Sequence, residues 1–191
     1  MVALGGQTKT EAAEQLPQSS FIEVGEFTRT PIGWIEFCAE YEPECHTVPS
    51  RPIDAVLTLQ SWKELVQVNV FVNERINPLT DIEHWGVVER WNYPDDGYGD
   101  CEDYVLQKRR MLIQAGWPRS ALLITVVRDG KGDGHAVLTV KTNRGEFSLD
   151  NNTHEIKPWY RTGYRFIKRQ SQWDQNVWLS LGGPAAVTGG R

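Results

Sequence analysis

The sequence predicts an α+β fold in which the N-terminus of one helix packs against an antiparallel β-sheet. Three observations carry that expectation. Helical apolar spacing is concentrated in two stretches, 59–76 and 101–115; short apolar or alternating segments follow between 121 and 169; and turn-forming clusters at 129–134 and 143–145 separate those segments.

Taken in order, residues 1–20 and 182–191 are tails rich in Gly, Ser, Pro and Ala, and one domain is expected over 21–181. Residues 21–54 read as an irregular or hairpin-forming arm. From Leu59 to Ile76, the apolar positions Leu65, Val66, Val68, Val70, Phe71, Val72 and Ile76 predict a helix despite their β-branched content. Residues 77–99 read as loop, punctuated by Asn77-Pro78, Tyr93-Pro94 and Asp96-Gly97. The helix after Gly99 has the clearest signals. Asp100 suits the N-cap and Asp103 the third helical position, a near-version of the capping box. Cys101, Tyr104, Val105, Met111, Leu112 and Ala115 share a face. Lys108, Arg109 and Arg110 lie toward the C-terminal end, where the macrodipole favours cations, and Gly116 and Pro118 stop the helix. Strands are expected at Ala121–Arg128, His135–Thr142, Glu146–Asp150 and Tyr164–Arg169, forming a meander.

The bulk properties exclude several classes. The 191 residues are 40% hydrophobic and 24% charged, with a net charge of −5 and no basic patch of the kind nucleic-acid binders carry. No apolar run approaches the ~20 residues of a membrane span. The start, Met1-Val2-Ala3-Leu4-Gly5-Gly6, lacks a charged region and an apolar stretch of secretory type, and the expectation is an exported chain whose leader has been removed. Of the three cysteines, Cys38 and Cys45 suit a disulfide in an exported protein; two free thiols, or a zinc site with His46, are the alternatives. Cys101 is then the odd cysteine, a candidate reactive thiol.

Cys101, in Gly99-Asp100-Cys101-Glu102-Asp103-Tyr104, sits where a glycine turn becomes a helix. His135 opens a later strand and Asp150 closes the next. A sulfur, an imidazole and a carboxylate, each at the end of a regular element, form the layout of a thiol nucleophile with its base and orienting group. Register supplies a test. A two-residue turn at Asn143-Arg144 or Arg144-Gly145 places Asp150 on the same face as His135, whereas a three-residue turn separates them. The first turn of the helix favours thiolate, and the backbone N–H of Cys101 is a natural oxyanion donor. Trp91, Gln60 and Asn69 are candidates for a second donor. His154 is the alternative base, His46 and His84 read as surface or capping residues, and Trp85 and Trp91 are the tryptophans nearest the thiol in sequence.

Between Asp81 and Asp103 stand eight acids and one strong base, Arg90. Carboxylates beside a thiol oppose its ionisation, so the pattern predicts a neutralising cation. Calcium suits a flexible, carboxylate-rich loop, with Asp100 and Glu102 as ligands. The alternatives are helix capping and solvated surface acids.

Gly99-Asp100-Cys101-Glu102-Asp103-Tyr104, Gly116-Trp117-Pro118, His135-Ala136-Val137-Leu138 and Leu149-Asp150-Asn151 resemble the bacterial transglutaminase-like cysteine proteinases, whose best-known branch is the LapG-type periplasmic protease. The resemblance, over roughly residues 69–178, implies a papain-like, transglutaminase-type core. It implies Cys101 as nucleophile, His135 as general base and acid, and Asp150 as orienting group, with Asp100 and Glu102 at calcium-binding positions. It also implies export, a surface-protein substrate and a regulatory inner-membrane receptor. The function expected is cysteine peptidase activity through an acyl-enzyme; acyl transfer on glutamine and a non-catalytic calcium-dependent binding domain are the alternatives.

Overall fold

In the computed structural model, residues 15–46 and 51–182 are described. The chain opens with β1 (Val24–Thr28), α1 (Ile32–Glu40) and α2 (Glu42–Cys45), and continues with α3 (Leu59–Arg75), β2 (Asn77–Pro78) and α4 (Asp81–His84). Then come β3 (Tyr98–Gly99), α5 (Cys101–Gln114), β4 (Leu122–Arg128), β5 (Gly134–Thr142) and β6 (Gly145–Asp150). The last elements are β7 (Thr153–Pro158), β8 (Arg165–Gln170) and β9 (Trp178–Leu181). The described residues build a seven-stranded sheet in the order β1-β9-β8-β4-β5-β6-β7, antiparallel at every pairing. Three of the four expected strands, β4, β5 and β6, form a meander, which β7 continues; the fourth, β8, instead crosses back to pair with β4, and β9 and β1 extend that side.

The helices α3 and α5 pack on one another; α5 also packs on β5 and β6, and α3 on β7. Strand alternation decides which side chains meet them. Leu138, Val140, Phe147 and Leu149 join Leu65, Leu106, Leu112, Trp34 and Trp178 in the main core. Val137 belongs to a smaller core with Ile22, Val127, Phe166 and Leu181.

The predicted arm at 21–54 is corrected: it holds β1, α1 and α2. Trp34 and Phe37 are buried in α1, so packing supplies what the weak periodicity concealed. Cys38 and Cys45 form a disulfide that ties α1 to α2, which selects one of the three sequence alternatives. Residues 77–99 contain β2, β3 and α4, though the rest is loop. β7 and β9 were not anticipated. Leu16 packs against the core, and Ser19 and Ser20 of the expected N-terminal tail are bonded to the β5–β6 hairpin: the Ser19 N–H donates to the Arg144 carbonyl at 2.8 Å, and the Glu146 N–H to the Ser20 carbonyl at 3.1 Å. The tail residues 1–14 and 183–191 lie outside the described residues. No described helix is long and apolar enough to cross a membrane.

Candidate active site

Cys101 is the first residue of α5. Asp100 takes the extended N-cap conformation, and the Asp103 carboxylate reaches back to accept from the Asp100 N–H at 3.4 Å and from the Asn92 N–H at 2.9 Å. Gly99 makes this return possible, because a Cβ there would lie 2.7 Å from Asp103 Oδ2. The helix ends at Gly116, whose φ of +92° is the left-handed value a glycine adopts freely.

The β5–β6 register meets the shared-face condition. Thr142 pairs with Gly145 and Leu138 with Leu149, so the turn is the two-residue Asn143-Arg144. Continued along the strands, that ladder sets Asn152 opposite His135 and makes Asp150 its diagonal neighbour. His135 Nε2 lies 2.8 Å from Asp150 Oδ1, with both side chains largely buried. With Nε2 donating to that carboxylate, Nδ1 is the nitrogen left as acceptor.

Two residues the sequence reading passed over complete this arrangement. Tyr164 Oη donates to Asp150 Oδ2 at 2.6 Å, and its ring meets the imidazole edge-on with centroids 5.2 Å apart. The Asn152 N–H donates to Asp150 Oδ1 at 3.0 Å, and its side-chain amide lies 3.3 Å from His135 Nε2. Burial alone would raise the Asp150 carboxyl. Hydrogen bonds from His135, Tyr164 and Asn152 outweigh it and hold the group below the usual carboxylate range. Burial and the bond to Asp150 push Tyr164 up to about 12, so it remains a donor at neutral pH. Tyr164 lies outside the triad motifs, and only its place at the edge of a predicted strand marked it.

The thiol stands differently from the expectation. Cys101 Sγ donates to Glu102 Oε2 at 3.3 Å, and no hydrogen bond joins it to His135. The backbone N–H of Ala136, the residue after His135, favours thiolate. Burial, followed by the charges of Glu102 and Asp100, nevertheless holds the thiol well above its ordinary pKa.

Among the described residues, Asp100, Cys101 and Glu102 offer ligand atoms within 4.8 Å of one another, as do Asp81, Asp100 and Asp103. Asp100 Oδ1 and Glu102 Oε1 are buried without a hydrogen-bond partner. Burial, then Asp100 and Asp103, drive Glu102 well upward, and burial pushes Asp103 up to about 8 despite the Asn92 amide. Asp81 is raised by burial too, while its Oδ2 accepts from the Arg90 N–H. None of these four carboxylates forms an ion pair with a described side chain. Hard oxygen donors, crowded, buried and unneutralised, fit a calcium ion.

The remaining candidates divide. Trp91 Nε1 donates to Glu89 Oε1 at 2.7 Å, and Asn69 Nδ2 donates to the carbonyls of Thr153 and His154, each at 3.1 Å; both donors are engaged away from the thiol. Gln60 is exposed in the first turn of α3. His154 sits in β7 and His46 just after α2, both exposed. His84, in the last turn of α4, has Nε2 2.8 Å from Asp96 Oδ2 and its ring stacked on Trp85; its side chain is only 13% exposed, so the expected surface role is corrected.

A cysteine at the head of a helix, packed on an antiparallel sheet that carries histidine and aspartate, is the transglutaminase-like arrangement of a thiol enzyme. The chain belongs to the bacterial transglutaminase-like cysteine proteinases (BTLCP), whose family model matches residues 24–186, and is accordingly a cysteine peptidase of that type. Among curated proteins no match is found. Calcium-bound LapG of Legionella pneumophila has a similar structure, with a TM-score of 0.55 and 24% identity over 68% of this chain and 75% of that one. A second LapG structure from the same organism gives 0.51 and 25% over 62% and 67%. The EGTA-treated form gives 0.52 and 26% over 66% and 74%.

Proposed function

We propose that this peptidase is exported and cleaves peptide bonds of an envelope or surface protein through an acyl-enzyme, with Cys101 as nucleophile, His135 as base and then acid, and Asp150 as the group that orients the imidazole. The observation that carries the reading is the 2.8 Å bond between His135 Nε2 and Asp150 Oδ1, which leaves Nδ1 as the free acceptor of the ring; the backbone amide of the next residue, Ala136, favours the Cys101 thiolate. In this reading the thiol turns from Glu102 to His135 and gives its proton to Nδ1 as sulfur attacks the substrate carbonyl carbon. The Cys101 N–H stabilises the oxyanion. The C–N bond then breaks, His135 protonates the departing amine, and water, deprotonated by His135, cleaves the thioester and restores the thiol.

Asp100 and Glu102 hold a calcium ion in the same reading, with Asp81 and Asp103 close by. Bound there, calcium supplies positive charge that offsets the carboxylates crowding the thiol. Support comes from the two unpartnered carboxylate oxygens and from the calcium-bound state of Legionella LapG. The Cys38–Cys45 disulfide supports export, since such bonds persist in oxidising compartments. A regulatory inner-membrane receptor belongs to the proposal through family membership alone.

The test is to incubate cell-envelope proteins with the active chain or with Cys101→Ala, in calcium or chelator, alongside a labelled amine. New protein N-termini, seen only with the active chain and lost in chelator, are expected. Incorporation of the amine without fragments would replace peptidase action by acyl transfer.

A further inference from the structure

The end of the sheet remote from His135 holds a group of cations that the proposed chemistry does not use. β4 runs from Leu122, beside this group, to Val127, which pairs with His135, and Arg128 beyond it. Arg109 of α5 and Arg119 of the turn before β4 line one cavity with His46, Ser120, Ser171 and Trp173. Among the described residues, no carboxylate lines it. The cavity measures about 70 Å3, several times the ~10–15 Å3 that one water requires, which is room for a group of carboxylate or phosphate size.

Arg109 is 2% exposed and forms no ion pair with a described side chain. Its Nε donates to the Leu122 carbonyl at 3.1 Å and its Nη2 to Gln175 Oε1 at 2.5 Å. Arg119 Nη1 donates to the same Gln175 oxygen at 3.4 Å. Gln175 Nε2 donates to the Glu44 carbonyl at 2.7 Å, which turns the amide oxygen to both guanidinium groups. Two cations thus converge on one neutral acceptor. Burial first, and the charge of Arg119 second, work against the ionised form of Arg109. Glu44 Oε2 lies 3.3 Å from Arg119 Nη1, but that pair is partly exposed and leaves Arg109 without a counter-ion. Among the described residues, Arg119 bonds through Nη1 alone and Arg109 Nη1 bonds to nothing. Arg109 Nη1 and Arg119 Nε and Nη2 therefore remain as donors, and guanidinium forks suit the paired oxygens of an oxyanion.

We propose that this cavity binds a small oxyanion, a carboxylate or a tetrahedral sulfate- or phosphate-type group, between the guanidinium groups of Arg109 and Arg119. The anion supplies the countercharge that Arg109 lacks. It also ties His46, just after the disulfide-linked α2, to the start of β4 and the end of β8. The site lies apart from the thiol, so the inference stands or falls independently of the triad.

The test titrates the isotope-labelled full chain with sodium sulfate and, separately, with sodium acetate, at one fixed calcium concentration and at constant ionic strength set with sodium chloride. Backbone amide resonances are followed by NMR. Saturable shifts centred on residues 119–123 and 170–175 are expected, and the salt that saturates at lower concentration tells tetrahedral from carboxylate recognition. Arg119→Gln is expected to weaken the binding by at least about tenfold, the loss of a charge-assisted contact, while Cys101 is alkylated by iodoacetamide at the wild-type rate. Absence of saturation with both salts overturns the proposal, as does unchanged affinity in Arg119→Gln. Arg109→Gln is the second variant. Should neither variant fold, the wild-type map decides: saturable shifts confined to those residues uphold the site, and shifts centred elsewhere overturn it.

Discussion

Asp150 receives three donors, from His135, Tyr164 and the Asn152 backbone, and their balance against burial has measurable consequences. Tyr164→Phe keeps the ring against the imidazole and deletes one charge-assisted bond; a loss of about tenfold in kcat with KM little changed is expected, read by steady-state cleavage. Because the folded carboxyl titrates below its unfolded value of about 3.9, its stabilisation is fully present above that value. It disappears as pH falls through the folded pKa. Urea unfolding of wild type and Asp150→Asn should therefore differ by a constant amount above about pH 5 and converge in stronger acid. Lys108, fully buried in α5 with no hydrogen-bond partner for its Nζ, has the opposite consequence. Its pKa falls from about 10.4 unfolded to about 7 folded, so its destabilising effect is full below 7 and fades as pH rises toward 10.4. Lys108→Met, which removes the buried ammonium, should therefore be more stable than wild type at pH 7 by urea unfolding, with an advantage that shrinks over that interval.

At the scale of elements, α5 carries the thiol at its head, so its N-terminal geometry is a functional quantity. Gly99→Ala would drive a Cβ to within 2.8 Å of Asp103 Cβ, leaving the capping carboxylate no room to return. A loss of at least about 1 kcal/mol is expected by denaturant unfolding, with slower alkylation of Cys101. The disulfide between α1 and α2 closes a short loop, and its removal by Cys38→Ser with Cys45→Ser should cost about 2 kcal/mol. α3 and α5 follow the apolar spacing because each buries one stripe against the sheet. α1 escaped notice because exposed Ile32 and Ile35 share its surface with buried Trp34 and Phe37, which blurs the period. Lys108 and Arg109 look like C-terminal dipole partners in the sequence, yet both are buried in the body of the helix.

Across the whole molecule, the acidic cluster joins α4, where Asp81 lies, to the head of α5, so a cation bound there would staple two elements. Calcium at about 100 times its Kd should raise stability by about 2.7 kcal/mol, seen as a higher thermal midpoint that chelator reverses. Asp100→Asn should reduce that shift while leaving the metal-free midpoint unchanged or higher, because it removes a carboxylate whose charge opposes ionisation of Glu102 while keeping a side chain suited to the N-cap.

The order of cysteine, histidine and aspartate, the capping of α5 and the parity of the β5–β6 hairpin were legible along the chain, because helix caps and strand alternation depend on residues a few positions apart. The thiol's bond to Glu102, the clasp of Tyr164 on Asp150 and the isolation of Lys108 were decided only in three dimensions. They depend on which distant side chains are brought together and stripped of water, and burial, which no local pattern encodes, sets the charge each of them carries.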